Sequence, residues 1–167
     1  MKNLFFEEVD LSKIEVVREL AHATWPDTFG EILSAEQISY MLEMMYGKDA
    51  ITKQISILNH VFFLVKNESE YLGYLSYQLD YKIKGVTKIH KIYVLPAAQG
   101  TGAGKALMLE AQKRAITNAQ NVLSLNVNRY NKAIGFYEKL GFRKIATEDI
   151  DIGNGFLMED AVMEKPL

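Results

Sequence analysis

A glycine-rich turn lies past the middle of the chain: Val94-Leu95-Pro96-Ala97-Ala98-Gln99-Gly100-Thr101-Gly102-Ala103-Gly104-Lys105. It leaves a predicted strand and opens a predicted helix. Glycines let backbone approach a ligand closely, and the first turn of a helix offers N–H groups without an intrahelical partner. With the helix dipole behind them, those groups form an anion site suited to phosphate. Two familiar nucleotide loops fail on residues. A P-loop, G-x-x-x-x-G-K-[ST], needs glycine where Gln99 stands and a hydroxyl where Ala106 stands. A dinucleotide fingerprint needs G-x-G-x-x-G, whereas this loop reads G-x-G-x-G after an antiparallel stretch. A plain helix-capping turn is the bland alternative, although alternating glycines weaken a helix start.

The loop fits a third pattern. Gln99-x-x-Gly102-x-Gly104 resembles the [QR]-x-x-G-x-[GA] signature of the GNAT superfamily of acyl-CoA N-acyltransferases. Upstream, Ile92-Tyr93-Val94-Leu95-Pro96 resembles that family's hydrophobic-x-Val-x-Pro lead-in. Downstream, Asn131-Lys132-Ala133-Ile134-Gly135-Phe136-Tyr137-Glu138-Lys139-Leu140-Gly141-Phe142 resembles its N-x-x-A-x-x-F-Y-x-x-x-G-F motif. The resemblance covers about residues 60–165. The segment Ile89-His90-Lys91-Ile92-Tyr93-Val94 is also similar to the spermidine/spermine acetyltransferase-like branch, a less specific likeness.

The resemblance implies a sheet that splays after its fourth strand and takes acetyl-CoA as co-substrate in the gap, with no metal. It places the pyrophosphate on the amides of Gln99, Gly100, Thr101, Gly102, Ala103, Gly104 and Lys105. It lays the pantetheine arm along the edge of Ile92, Tyr93 and Val94, with the Val94 amide facing the thioester oxygen. Asn131 touches the same arm, or simply caps its helix. Tyr137 becomes the general acid that protonates the departing thiolate. Outside the motif, Tyr137 reads as an amphipathic core residue stacked on Ala133 and Ile134.

The general base is less defined. An acceptor ammonium with a pKa of about 10.4 must lose a proton before it can attack. Many relatives carry Glu at the position that Lys88 occupies here. His90 follows two residues on, and strand alternation puts it on the face of Lys88, Ile92 and Val94. Neutral imidazole is a fair base, while a strand histidine bonded to a neighbour remains the alternative. Asp80 and Glu148 are further carboxylate candidates. For the acceptor, Trp25, Phe29 and Tyr40 are the candidate contacts, with Asp27 and Glu31 suited to a cationic amine.

The elements that must position these groups follow from periodicity. Asn3–Val9 reads as a strand. Asp10–Thr24 reads as a helix, with Asp10 or Ser12 as N-cap, broken by Pro26 and Gly30. The Trp25–Phe29 segment then falls between helices, where a large aromatic lines a cleft. Ser34–Tyr46 and the shorter Asp49–Leu58 read as helices. Val61–Val65 is a continuous apolar run, expected of a strand covered on both faces. Tyr71–Asp80 and Thr87–Val94 are strands joined by a turn holding Gly85. Gly102–Asn118 (helix), Val122–Asn128 (strand) and Asn131–Leu140 (helix) follow. Arg143–Ile152 and Phe156–Met163 form a final hairpin about Gly153-Asn154-Gly155. The expected fold class is α/β (α+β). It is a mixed, largely antiparallel sheet of six to seven strands with helices on both faces.

Length and charge close off other classes. The 167 residues suit one domain, 1–167. Nineteen basic against twenty-one acidic residues give a net charge of −2, so no broad basic face awaits nucleic acid. No apolar run reaches the roughly 18–20 residues of a membrane span, and the N-terminus does not read as a signal peptide. A cytoplasmic protein is expected. The absence of cysteine excludes disulfides, Cys-ligated zinc and a cysteinyl acyl-enzyme. Direct attack by the amine in a ternary complex is then the expected route. His22, His60 and His90 show no metal-ligand spacing. The resulting expectation is an acetyl-CoA-dependent N-acetyltransferase acting on a small primary amine, polyamine-like or amino-acid-like. A non-catalytic acyl-CoA-binding module of the same fold is the alternative, and monomer and homodimer both stay open.

Overall fold

A computed structural model describes residues 3–167. Seven strands form one sheet in the order β1-β2-β3-β4-β5-β7-β6. β1 (Phe5–Glu8), β2 (Val61–Lys66), β3 (Tyr71–Gln78) and β4 (Val86–Val94) pair antiparallel in succession. β5 (Val122–Asn128) lies parallel to β4, and β7 (Phe156–Pro166) inserts antiparallel between β5 and β6 (Arg143–Gly153). Helices α1 (Ile14–Phe29), α2 (Ala35–Tyr46) and α3 (Lys48–Ser56) lie on one face, and α4 (Ala103–Thr117) and α5 (Ile134–Lys139) on the other. The mixed, largely antiparallel sheet covered on both faces is the architecture expected from the sequence.

The apolar run of β2 is explained by two cores. Phe63 and Val65 pack with α4, whereas Phe62 and Leu64 pack with α1–α3. A strand buried on both faces gains from apolar residues at every position. No helix among the described residues is long and apolar enough to cross a membrane.

The feature that matters most for the site is a break in pairing. β4 has nine residues, but only Val86–Ile89 pair with Val122–Leu125 of β5. Beyond Ile89 the two strands part, while β5 stays paired with β7 as far as Asn128 opposite Asp160. The sheet therefore opens into a V between the second half of β4 and the end of β5.

Two expectations are corrected here. Pro26 does not end α1, which runs through it to Phe29. The ring removes one helical hydrogen bond. Trp25 and Phe29 are buried on either side of it, at 1% and 6% exposure, so tertiary packing holds the turn. The second correction concerns His90. β3 and β4 slip register so that Ser76 faces Lys91 while Tyr77 faces Ile89, leaving His90 as the extra residue of a bulge. Ile89, Ile92 and Val94 pack on the α4 side, whereas Lys91 reaches Tyr46 and Phe62 on the α1–α3 side. His90 stands with Lys91, not with Ile92 and Val94, because a bulge breaks the two-residue alternation.

Candidate active site

The V opens onto a cleft of ≈ 1590 Å³ that runs from the glycine loop, past the end of β4, to the turn before β4. One arm is built by the loop. Gly100 and Gly102 have φ of +77° and +89°, a region that side chains resist. Nothing lies within 4 Å of where their Cβ atoms would be, so backbone conformation, not crowding, requires glycine. The left-handed Gly102 caps α4, and the first hydrogen bond beyond it runs from the Ala106 amide to the Gly102 carbonyl at 2.9 Å. The amides of Ala103, Gly104 and Lys105 thus belong to the unpaired first turn, which carries the positive end of the α4 dipole.

Two of the expected phosphate donors are already engaged. The Gln99 amide donates to the Pro96 carbonyl, and both the amide and the hydroxyl of Thr101 donate to the Ala98 carbonyl. The Lys105 side chain is exposed beside the free amides.

The edge of β4 supplies further donors. Leu95 donates its amide to the Leu72 carbonyl of β3 at 2.8 Å. By alternation along the strand, the amides of Ile92 and Val94 point the other way, into the gap. Across from them stands α5, shorter than the helix expected from Asn131. The Asn131 side chain accepts the Ala133 amide at 2.9 Å and folds residues 131–133 into a turn, so the helix begins at Ile134. Its end is closed by Gly141 donating to the Glu138 carbonyl and Phe142 donating to the Tyr137 carbonyl, a Schellman arrangement.

Between these ends, Phe136 packs against Gly104, which Val94 also flanks, and Tyr137 turns into the core beside Phe142 while still lining the cleft. Tyr137 is 7% exposed. Burial raises its phenol pKa, which keeps the proton on the oxygen. Among the described residues that hydroxyl has no hydrogen-bond partner.

The other arm lies on the α1–α3 face. Trp25 and Phe29 reach it as edges of the core, with Tyr93 at 5.7 Å and 6.2 Å between ring centroids. Asp27 and Glu31 stand at its rim. Tyr40 does not line the cleft. Its hydroxyl donates to the Ile152 carbonyl at 2.7 Å and its ring packs on Phe156, so it clamps the β6–β7 hairpin onto α2. Gln37 assists by donating to the Leu157 carbonyl.

His90 is not placed as expected for a base. Its ring stacks on His60 at 3.9 Å, and its Nε2 lies 3.0 Å from Gln78 Oε1. Burial, then His60 and the lysines 91 and 88, push its pKa down to about 2. The imidazolium that a base must pass through is disfavoured. Asp80 is spent on structure: it accepts the Gly85 amide and the Gln120 side chain.

On the far half of the sheet, Lys88 and the candidate Glu148 are joined by residues that sequence reasoning missed, Asn126, Asp160 and Glu164. Lys88 donates to Asn126 Oδ1, and Asn126 Nδ2 donates to Glu148 at 3.0 Å and to Asp160 at 3.2 Å. Burial lowers the Lys88 pKa and raises that of Asp160. With Glu164, these carboxylates make the floor of this arm acidic. Among the described residues there is no group of three metal-ligating side chains.

A family model described as an acetyltransferase (GNAT) domain matches residues 31–164. A spermidine N(1)-acetyltransferase from Thermoplasma acidophilum is 28% identical over 159 residues, spanning 91% of this chain and 93% of that protein. The crystal structure of a PaiA N-acetyltransferase from Thermoplasma acidophilum in complex with coenzyme A superposes with a TM-score of 0.81. That pair is 25% identical, over 99% of both chains. A GCN5-related N-acetyltransferase from Rhodopseudomonas palustris shares the fold at a TM-score of 0.85 and 17% identity, over 100% of this chain and 98% of that one.

Proposed function

The chain belongs to the GNAT acetyltransferase family, and from that premise we propose that residues 1–167 act as one domain moving an acetyl group from acetyl-CoA to a primary amine of a small cationic molecule. Polyamines and amino-acid-like amines are the acceptor classes that fit. The observation that carries this reading is the parting of β4 and β5, with free loop amides at one end and an acidic, aromatic arm at the other. The curated relative that acts on spermidine supports a polyamine-like acceptor.

Acetyl-CoA supplies a thioester whose carbonyl carbon the amine attacks and whose sulfur leaves. The amides of Ala103, Gly104 and Lys105 hold the pyrophosphate, and those of Ile92 and Val94 meet the pantetheine arm. Val94 donates to the carbonyl oxygen as it gains charge, a preorganised donor worth several kcal/mol in a dry site, roughly 3–4 by the precedent of removing one such donor. Tyr137, held protonated by burial, gives its proton to the departing sulfur. Without cysteine in the chain, the amine attacks directly.

The test is thiol release from acetyl-CoA with polyamines, amino acids, aminoglycosides and a peptide N-terminus offered separately. Release with a small amine and not with the peptide is the expected result. Release with the peptide alone, or with no acceptor, overturns the reading.

A further inference from the structure

We propose that Asp160 binds the acceptor's ammonium and takes its proton, an inference that rests on the cationic-amine reading above. Asp160 sits on β7 opposite Asn128, at the level where β5 has already parted from β4. It is 4% exposed and lines the cleft. Its neighbours Ala161, Val162 and Met163 are the buried apolar residues expected of a central strand.

A carboxylate so placed should have a cation in contact with it, and among the described residues none is. Its hydrogen bond comes from Asn126 Nδ2 to Oδ2. Among the described residues Oδ1 accepts nothing and no lysine or arginine forms an ion pair with it. Lys88, the cation on the facing strand, is held off by the Asn126 amide, whose oxygen takes the ammonium while its nitrogen serves Asp160 and Glu148. Burial disfavours the charged carboxylate, and the Asn126 bond with the more distant charges of Lys88 and Arg129 offsets only part of that cost. An incoming ammonium supplies the missing charge. The other ionisable groups facing Asp160 are Tyr93 and Lys88 from β4, Arg129 after β5, and Glu148 from β6. Desolvation holds the carboxyl above the usual carboxylate range, toward what a proton acceptor needs.

The proton balance closes. One ammonium proton passes to Oδ1 of Asp160, and the freed lone pair forms the N–C bond to the thioester carbon. The C–S bond breaks with its electron pair going to sulfur, which takes the proton of Tyr137. The second nitrogen proton returns to the Tyr137 oxygen, and Asp160 releases its proton to solvent.

The experiment compares wild type with Asp160→Asn, which keeps the bond from Asn126, using the best amine of the panel between pH 6 and 10. Glu159→Gln, a neighbouring β7 side chain that does not line the cleft, serves as control. For Asp160→Asn, kcat/KM at pH 7 falls about 100-fold or more. CoA affinity by calorimetry is retained, Tm is unchanged or raised, and the deficit shrinks as pH approaches the amine's own pKa. Asp160→Asn within about threefold of wild type at pH 7 overturns the proposal. So does a loss that is uniform across pH and accompanied by a lowered Tm. If wild type itself acetylates no amine, the preceding functional reading fails, and this one with it. Wild-type turnover with an indifferent Asp160→Asn removes this inference alone.

Discussion

Lys91→Met should erase a pH dependence that the fold writes into its own stability. Lys91 is 4% exposed, and no carboxylate pairs with it among the described residues. Its Nζ donates to Gln54 Oε1 at 2.9 Å and lies 5.4 Å and 5.3 Å from the ring centroids of Tyr46 and Phe62. Burial pushes its pKa down to about 7, against about 10.4 in an unfolded chain. The unfolded state therefore binds more protons above pH 7, and stability rises with pH through that window. Integrated from pH 7 to pH 9 the gain is roughly 2 kcal/mol, or about 4–8 °C in Tm for a domain of this size.

Methionine keeps the packing against both rings and cannot titrate. It forfeits the bond to Gln54, a loss of about 0.5–1.5 kcal/mol that does not vary with pH. The window is clean on both sides. His60 and His90, pushed down to about 4 and about 2, take up protons in the unfolded chain mainly below pH 7, and both proteins carry them. The phenols of Tyr46, Tyr74, Tyr93 and Tyr137 are all raised by burial, so they matter only near pH 10 and above. Groups common to both proteins, Lys88 included, cancel in the difference. Calorimetric or urea melts of wild type and variant at pH 7, 8 and 9 give the answer. A wild-type-minus-variant difference that stays constant over that range would refute the picture of Lys91 as a desolvated base.

Three further outcomes follow from the same structure. Tyr137→Phe should lower kcat by about 10²–10⁴-fold while CoA affinity, measured by titration calorimetry, is unchanged; equal turnover would remove the phenol from the proton path. Gly102→Ala forces a side chain to φ +89°. It should cost about 1–2 kcal/mol in urea melts and weaken CoA binding as the loop shifts its amides, by about tenfold. Trp25→Ala removes a ring that is 1% exposed and packed on Phe29, Tyr46 and Tyr93. It should cost about 3–5 kcal/mol, read as a Tm fall of about 10 °C.

The parts of the fold that were legible in the sequence are those written in local pattern. β5 spans Val122–Asn128, as its alternation indicated, and α4 opens at Ala103 with Gly102, the expected first residue, as its N-cap. The Gly153–Gly155 turn lies where its residues placed it. What escaped was non-local. The His90 bulge depends on the register of β3 against β4, which no single strand reveals. Pro26 stays helical because Trp25 and Phe29 are buried by other elements, against the local preference of proline. Tyr40 left the cleft because the β6–β7 hairpin folds back onto α2. Asp160 was hidden by the strand order, in which β7 inserts beside β5 and carries that residue to the parting. Its one local signal was a carboxylate directly preceding the apolar Ala161-Val162-Met163.

The central claim is that the acetyl group passes directly from acetyl-CoA to a small amine at the parting of β4 and β5. Initial rates with acetyl-CoA and the best amine varied together test it most directly. Lines that intersect in a double-reciprocal plot, with acetylated amine as the product by mass spectrometry, are the predicted result. Parallel lines, the pattern of an acyl-enzyme, or the absence of acetylated amine would contradict it.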